Sequence, residues 1–399
     1  MATPLREVDD ADQSTSATGV GELDRVLGGG VVAGSTTLLF GEPGVGKSTL
    51  ALMTLRARAL AGAPVLLIAA EESPTQVARR ARRLGFVPSG LDVAATTDVG
   101  AAVSLLFERR PALCVVDSIS AMSDPALASV AGSVPQVRQA AERLCAAAKA
   151  TGAALILVGH VTKDGELAGP RTLEHLVDTV VRIEGERHGS IRFLRTLKHR
   201  FGPTGEVGLL EMAPDGLRDL PDASLALRGP RLDVPGVVFG IANDGTRSLL
   251  VELQALVAPS AGSPRRVAHQ VSAQRLSLLL AVLEARCGVA TGGLDVFAAT
   301  AGAIPANEPG VDVALALAVA SATGGFAVAR TLAAVGEVGL AGELRSVTGL
   351  SRRVREAQRL GATVVIVPEE GECEVVPGVS VQRLGSLNQA LEYARCDTT

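Results

Sequence analysis

The sequence contains no tryptophan and one tyrosine, and aromatic residues make up only 2% of its 399 residues. Recognition of nucleic acid through rows of stacking platforms needs more rings than this, so any contact with a strand is expected to follow its backbone. Cysteine is scarce too: Cys114, Cys145, Cys287, Cys373 and Cys396 lie far apart, and none stands in a C-x-x-C pair. That spacing predicts neither a disulfide framework nor a zinc site, and fits thiols in a reducing cytoplasm. There is no apolar run near the roughly 20 residues that a membrane helix needs, and the amino terminus has no apolar signal core. A cytoplasmic protein without a membrane partner is therefore expected. Positive charge is not in surplus either, with 38 Lys and Arg against 42 Asp and Glu and a net charge of −4. A nucleic-acid site must then be a local patch rather than a uniformly basic surface.

What is present is apolar material in alternation. Hydrophobic residues make up 47% of the chain, which is long enough for two folded domains. Residues 1–16 read as a polar, acidic arm. From 17 to 222, short apolar runs at 36–40, 65–70, 112–118 and 154–160 alternate with helix-compatible sequence such as 48–61. This is the pattern of an α/β domain with a parallel sheet covered on both faces. After about residue 180 the runs IRFLRTLKHR and GEVGLLEM read as antiparallel edge strands. A Pro/Gly/Asp-rich stretch near 213–236 reads as a linker, assigned to 223–236. Residues 237–399 form a second α/β region, opening on VVFGIAN and LLVELQALV and later alternating helix (RLSLLLAVLEARCG) with strand (TVVIVP).

Between the first apolar run and the first helix stands Gly41-Glu42-Pro43-Gly44-Val45-Gly46-Lys47-Ser48, followed by Thr49, a match to G-x-x-x-x-G-K-[ST] in the strand–helix setting that its mechanism requires. The glycines let backbone N–H groups turn inward on a β-phosphate, and the helix start adds its positive end. Lys47 reaches the β and γ oxygens, and the Ser48 hydroxyl ligates Mg²⁺. ATP with Mg²⁺ is the expected ligand. Asp117, closing the run LCVVD, stands where a carboxylate holds Mg²⁺ through water; its plain alternative is a helix cap, a role open also to Ser118 or Ser120. Glu71 and Glu72 close the second run, where a carboxylate polarises an attacking water as general base. Glu71 is the better placed of the two.

Beyond the phosphate loop, ordered blocks resemble the bacterial RadA (Sms) family. They include Thr18-Gly-Val-Gly-Glu-Leu-Asp-Arg-Val-Leu-Gly-Gly-Gly30 and Ala70-Glu71-Glu72-Ser73. Val115-Val116-Asp117-Ser118-Ile119 and the run from Val158-Gly159-His160-Val161-Thr162-Lys163-Asp164-Gly165 to Val177-Asp178-Thr179 belong to the same likeness. Lys198-His199-Arg200-Phe201-Gly202 is similar to the family's Lys-Asn-Arg-Phe-Gly signature, with His199 in place of Asn. The resemblance implies a RecA-like ATPase core and a Lon-protease-like carboxyl-terminal domain. It implies a DNA-dependent motor of recombinational repair, a homo-oligomer in the form of a hexameric ring, that processes single-stranded and branched DNA alongside RecA. A related block of hexameric DnaB-type helicases has Lys-x-Arg followed by Gly-Pro-x-Gly, which Gly202-Pro203-Thr204-Gly205 continues here, and by that resemblance Lys198 and Arg200 would reach the γ-phosphate held by a neighbouring subunit, where they would stabilise the transferring phosphoryl group. DNA contact would fall to residues 162–175, with Lys163 and Arg171 pairing with phosphates, and to Lys198 and Arg200. The family's amino-terminal four-cysteine zinc finger is not matched by these residues, being either naturally absent or lost with the start of the chain, and no zinc is expected.

Glu337-Val-Gly-Leu-Ala-Gly342 and Gly361-Ala-Thr-Val-Val-Ile-Val-Pro368 resemble the Lon-type fold. Peptidase chemistry of that type needs a serine activated by a lysine. The resemblance puts the nucleophile's position at Gly310 and the lysine's at Ser351, so the second domain is expected to be proteolytically inactive. It is read as an assembly scaffold, with Arg265, Arg266, Arg352, Arg353 and Arg355 as candidate phosphate contacts or a plain solvated face. Two other readings stand beside the motor: an ATP-dependent switch without motor activity, and an ATP-dependent peptidase.

Overall fold

The computed structural model describes residues 15–85, 89–160, 170–185, 189–220, 234–301 and 306–396. The chain divides into two compact units, residues 1–221 and 222–399. Among the described residues no helix is long and apolar enough to cross a membrane.

The first unit is built on one sheet of nine strands. Its strands and helices run β1 (Thr15–Ser16), α1 (Gly21–Val26), β2 (Val31–Val32), β3 (Thr36–Gly41), α2 (Lys47–Leu60), β4 (Val65–Ala69), α3 (Pro74–Arg83), β5 (Leu91–Ala95), α4 (Val99–Arg109), β6 (Leu113–Asp117), α5 (Val134–Thr151) and β7 (Ala154–His160). A short α6 (Pro170–Leu173) follows, then β8 (Thr179–Glu184), β9 (Ile191–His199), β10 (Val207–Ala213) and β11 (Gly216–Asp219). The sheet order is β11-β10-β9-β8-β3-β7-β6-β4-β5, while β1 and β2 pair separately. From β8 to β5 the pairings are parallel, and from β8 to β11 they are antiparallel. Strands β3, β4 and β7 are continuous apolar runs because helices cover both faces of this part of the sheet. Leu39, Leu67 and Ile156 point to the side packed by α1, α2 and α3. Leu38, Leu66 and Leu155 point to the side packed by α4 and α5.

The four apolar runs expected as strands are strands, and the two segments expected as antiparallel edge strands pair as such. Past them β10 turns back at Pro214-Asp215 and pairs with β11 from Leu210↔Asp219 to Ala213↔Gly216, ahead of the linker assigned to 223–236. The expected linker, to residue 233, and most of the arm at 1–14 lie outside the described residues.

The second unit has a seven-stranded sheet of order β14-β15-β13-β12-β16-β19-β20. These are β12 (Val237–Asp244), β13 (Arg247–Pro259), β14 (Arg266–His269), β15 (Leu294–Thr300), β16 (Leu332–Ala334), β19 (Val364–Pro368) and β20 (Ser380–Leu384), with β17 (Glu337–Val338) and β18 (Leu344–Arg345) as a separate pair. Its helices are α7 (Ala273–Cys287), α8 (Asp312–Gly324), α9 (Leu350–Arg359) and α10 (Leu387–Cys396). Helix α8 is buried along its length from Asp312 to Ser321 and so is apolar on every side.

Candidate functional site

Parallel register sets the site. Gly41 at the end of β3 lies beside His160 on β7, Asp117 on β6 lies beside Val158, and Ala69 on β4 lies beside Asp117. The carboxyl ends of four adjacent strands thus bring the phosphate loop, Glu71, Asp117 and His160 to one edge of the sheet, where ligands of open α/β sheets bind. Gly46 caps α2 at φ 115°, a conformation that a side chain rarely adopts, and a Cβ there would stand 2.9 Å from the Met212 methyl. A Cβ at Gly41 would stand 2.2 Å from the Ile183 carbonyl. These glycines are required for the loop to lie where it does.

Lys47 is buried, and its Nζ donates to the carbonyls of Gly41 and Glu42, each at 2.9 Å. Burial lowers its pKa, against the pull of Asp117 and Glu71. Burial likewise raises Asp117 above the ordinary carboxylate range, opposed by a hydrogen bond from the Ser48 hydroxyl. Ser48 and Asp117, the two expected metal ligands, line one pocket with Glu71. The two glutamates diverge. Glu71 Oε1 accepts from the Ser118 hydroxyl and lies 3.5 Å from His160 Nε2, and Ser118 Oγ sits 2.8 Å from Ser120 Oγ. Glu72 turns away to pair with Arg80 on α3. Helix α3 is started by Ser73 and Gln76 in a reciprocal capping box with Pro74 in its first turn, so the serine after the glutamates fixes where they end.

Lys198 and Arg200 lie at the opposite end of the sheet. His199 pairs with Thr179 at the start of β8, beside Thr37 near the foot of β3. The length of β3 separates that foot from the phosphate loop by about 17 Å. Lys198 Nζ donates to the carbonyls of Glu174 at 2.6 Å and Val177 at 2.7 Å, and burial lowers its pKa. Arg200 is 56% exposed and pairs with Asp178 at 3.1 Å. Asp178, Arg200, Phe201, Lys149 and residues 32–35 line a groove of about 550 Å³. Neither cation can serve the loop of its own subunit. His199 accepts from Phe201 N on Nδ1, which also meets the Thr179 hydroxyl at 3.2 Å, and its Nε2 packs toward Gly28. Lys163 lies outside the described residues, as does the side chain of Arg171.

Three participants carry no sequence-assigned role: His160, Ser118 as a partner of Glu71, and Arg192. Arg192 is buried, its Nε donates to the Val45 carbonyl of the phosphate loop at 3.0 Å, and burial lowers its pKa. A charged residue within the apolar run IRFLR is the one sequence signal of it.

In the second unit Arg353, not Ser351, meets Gly310. Arg353 is 1% exposed, its guanidinium pairs with both oxygens of Glu308, and a Cβ at Gly310 would overlap it. The Ser351 hydroxyl instead accepts from Glu374 N at 3.1 Å. Arg353 is removed as a phosphate contact, because it is buried. Arg265 and Arg355 pair with Asp295 and Glu374, while Arg266 and Arg352 donate to backbone carbonyls.

Comparison with known proteins gives the family. A model described as an AAA domain matches residues 2–166, and one described as the Lon protease (S16) C-terminal proteolytic domain matches residues 295–387. The DNA repair protein RadA of Mycolicibacterium smegmatis is 43% identical over 399 residues, spanning 99% of this chain and 85% of that protein. The chain belongs to the RadA family. RadA of Bacillus subtilis is 41% identical over 92% of this chain and 80% of its own length. A KaiC-like protein of Pyrococcus horikoshii is similar in structure to 52% of the chain, with 19% identity and a TM-score of 0.44. By its family and the two matching domain models, the first unit has the RecA-like P-loop ATPase fold and the second the Lon-like fold of RadA proteins.

Proposed function

We propose that this protein is a DNA-dependent ATPase of DNA repair whose hydrolytic site is completed by a neighbouring copy, and that it drives branch migration or unwinding of recombination intermediates with RecA. The observation carrying this reading is the division of its cations. Lys47 stands at the phosphate loop, whereas Lys198 and Arg200 stand at the far end of the same sheet, beside an open groove. A head-to-tail ring brings such opposite ends together at every interface and closes on itself.

ATP fits the residues present. Lys47 is parked on two loop carbonyls that phosphate oxygens would replace, and positive-φ glycines at 44 and 46 open the loop. Mg²⁺ would be held by Ser48 and Asp117, where it would neutralise charge on the β and γ oxygens. Glu71 orients and polarises the attacking water as general base, and Ser118 and His160 hold its carboxylate in place. Lys198 and Arg200 of the adjacent subunit stabilise the charge on the transferring group. The backbone of single-stranded and branched DNA is contacted through Lys163, Arg171, Lys198 and Arg200. The second unit is proposed as a scaffold without peptidase activity, since the ion pair of Arg353 and Glu308 fills the space a nucleophile's side chain at Gly310 would need.

The test is steady-state ATP hydrolysis with and without single-stranded DNA at two salt concentrations. Stimulation that weakens with salt is expected, because each phosphate contact releases counterions. Nucleotide binding without stimulation would favour the switch instead.

A further inference from the structure

Arginines of the first unit generally have a carboxylate beside them: Arg80 has Glu72, Arg109 has Asp92, Arg143 has Asp124 and Arg200 has Asp178. Arg79, Arg82 and Arg83 on α3 are exposed and have no such partner among the described residues. Spaced i, i+3 and i+4, they share one face of the helix. The opposite face is fixed, since Val77 and Ala81 are buried in the core with Leu84. The capping box at Ser73 and Gln76 secures the first turn.

Compensation of the helix dipole accounts for part of this only. Cations at a carboxyl terminus contribute about 0.3–1 kcal/mol and only within the last turn. Arg82 and Arg83 stand there, but Arg79 does not. In a chain with more acidic than basic residues, three unpaired guanidiniums on one rigid face repel one another unless an anion joins them. Arginine forks match phosphate oxygens two at a time, which a solvated surface does not require. Helix α3 carries no aromatic residue, so it offers no platform for unpaired bases. What remains recognisable is a phosphate backbone with its bases turned inward.

We propose that the Arg79, Arg82 and Arg83 face of α3 binds the phosphate backbone of duplex DNA, as a contact separate from that at residues 162–175. The inference rests on the DNA-dependent reading above. It places a duplex arm against the helix whose Arg80 holds Glu72, next to Glu71. The test is binding of a fluorescently labelled duplex by the full chain without nucleotide, across a series of salt concentrations. Wild type is compared with the triple variant Arg79→Gln, Arg82→Gln, Arg83→Gln. Loss of three contacts should lower the magnitude of the slope of log K against log salt by about 2 to 3 and weaken binding about tenfold or more at low salt. ATP hydrolysis stimulated by single strands should persist in the variant. Unchanged duplex affinity and slope overturn the proposal, as does a wild type that does not bind duplex. Loss of binding accompanied by loss of the oligomer in light scattering also overturns it, because the face is then a contact between copies. Failure of the DNA-dependent reading would show separately, as wild-type hydrolysis indifferent to single strands.

Discussion

Lys47, Asp117 and Glu71 illustrate how single residues divide the work. Lys47→Ala should abolish hydrolysis, measured by phosphate release, while circular dichroism remains that of the wild type, since the side chain's partners are loop carbonyls that water can satisfy. Glu71→Gln should lower kcat by about 10²- to 10⁴-fold with nucleotide affinity nearly unchanged, the range for loss of a positioned base. Asp117→Asn should lose turnover yet raise the melting temperature of the nucleotide-free protein, by about 1 kcal/mol of stability, because an ionised carboxylate is costly where burial disfavours its charge. A fall in melting temperature would contradict that reading. At this scale the phosphate loop and Asp117 were legible because each is a local pattern at a strand end. The preference for Glu71 over Glu72 was also made from the strand end, while the partners that separate the two, Ser118 and Arg80, come from other elements. The burial of Arg353, read from the sequence as a candidate phosphate contact, was not legible for the same reason, since its closeness to Gly310 across 43 positions is decided by the packing of α9 and not by the local string.

Elements show a second kind of dependence. The β10–β11 hairpin closes over the phosphate loop: Met212 and Leu217 lie against Gly46, Met53 Sδ accepts from Leu217 N at 3.1 Å, and Arg192 on β9 holds Val45. A strained loop persists only where its surroundings fix it. Gly46→Ala should therefore cost about 1–3 kcal/mol and weaken nucleotide binding, both measurable by thermal melts with and without ATP; an unaltered melt would show that the hairpin yields freely. The parallel core strands were readable from continuous apolar runs, which β3, β4, β6 and β7 all supply. Strand β11 was not, because the turn signal of Pro214-Asp215-Gly216 outweighs a four-residue strand whose stability comes from pairing with β10.

At the scale of the whole molecule, the account depends on two ends of one sheet acting on different nucleotides. Purified Lys47→Ala and Arg200→Ala chains, each inactive alone, should regain hydrolysis when mixed. In a random assembly about a quarter of the head-to-tail interfaces join an intact phosphate loop to an intact Arg200. Steady-state ATP hydrolysis of the mixture, in the presence of single-stranded DNA, is the most direct measurement of this claim. Recovery of a substantial fraction of wild-type turnover is the predicted result. A mixture as inactive as its two components would contradict completion of the site by a neighbour.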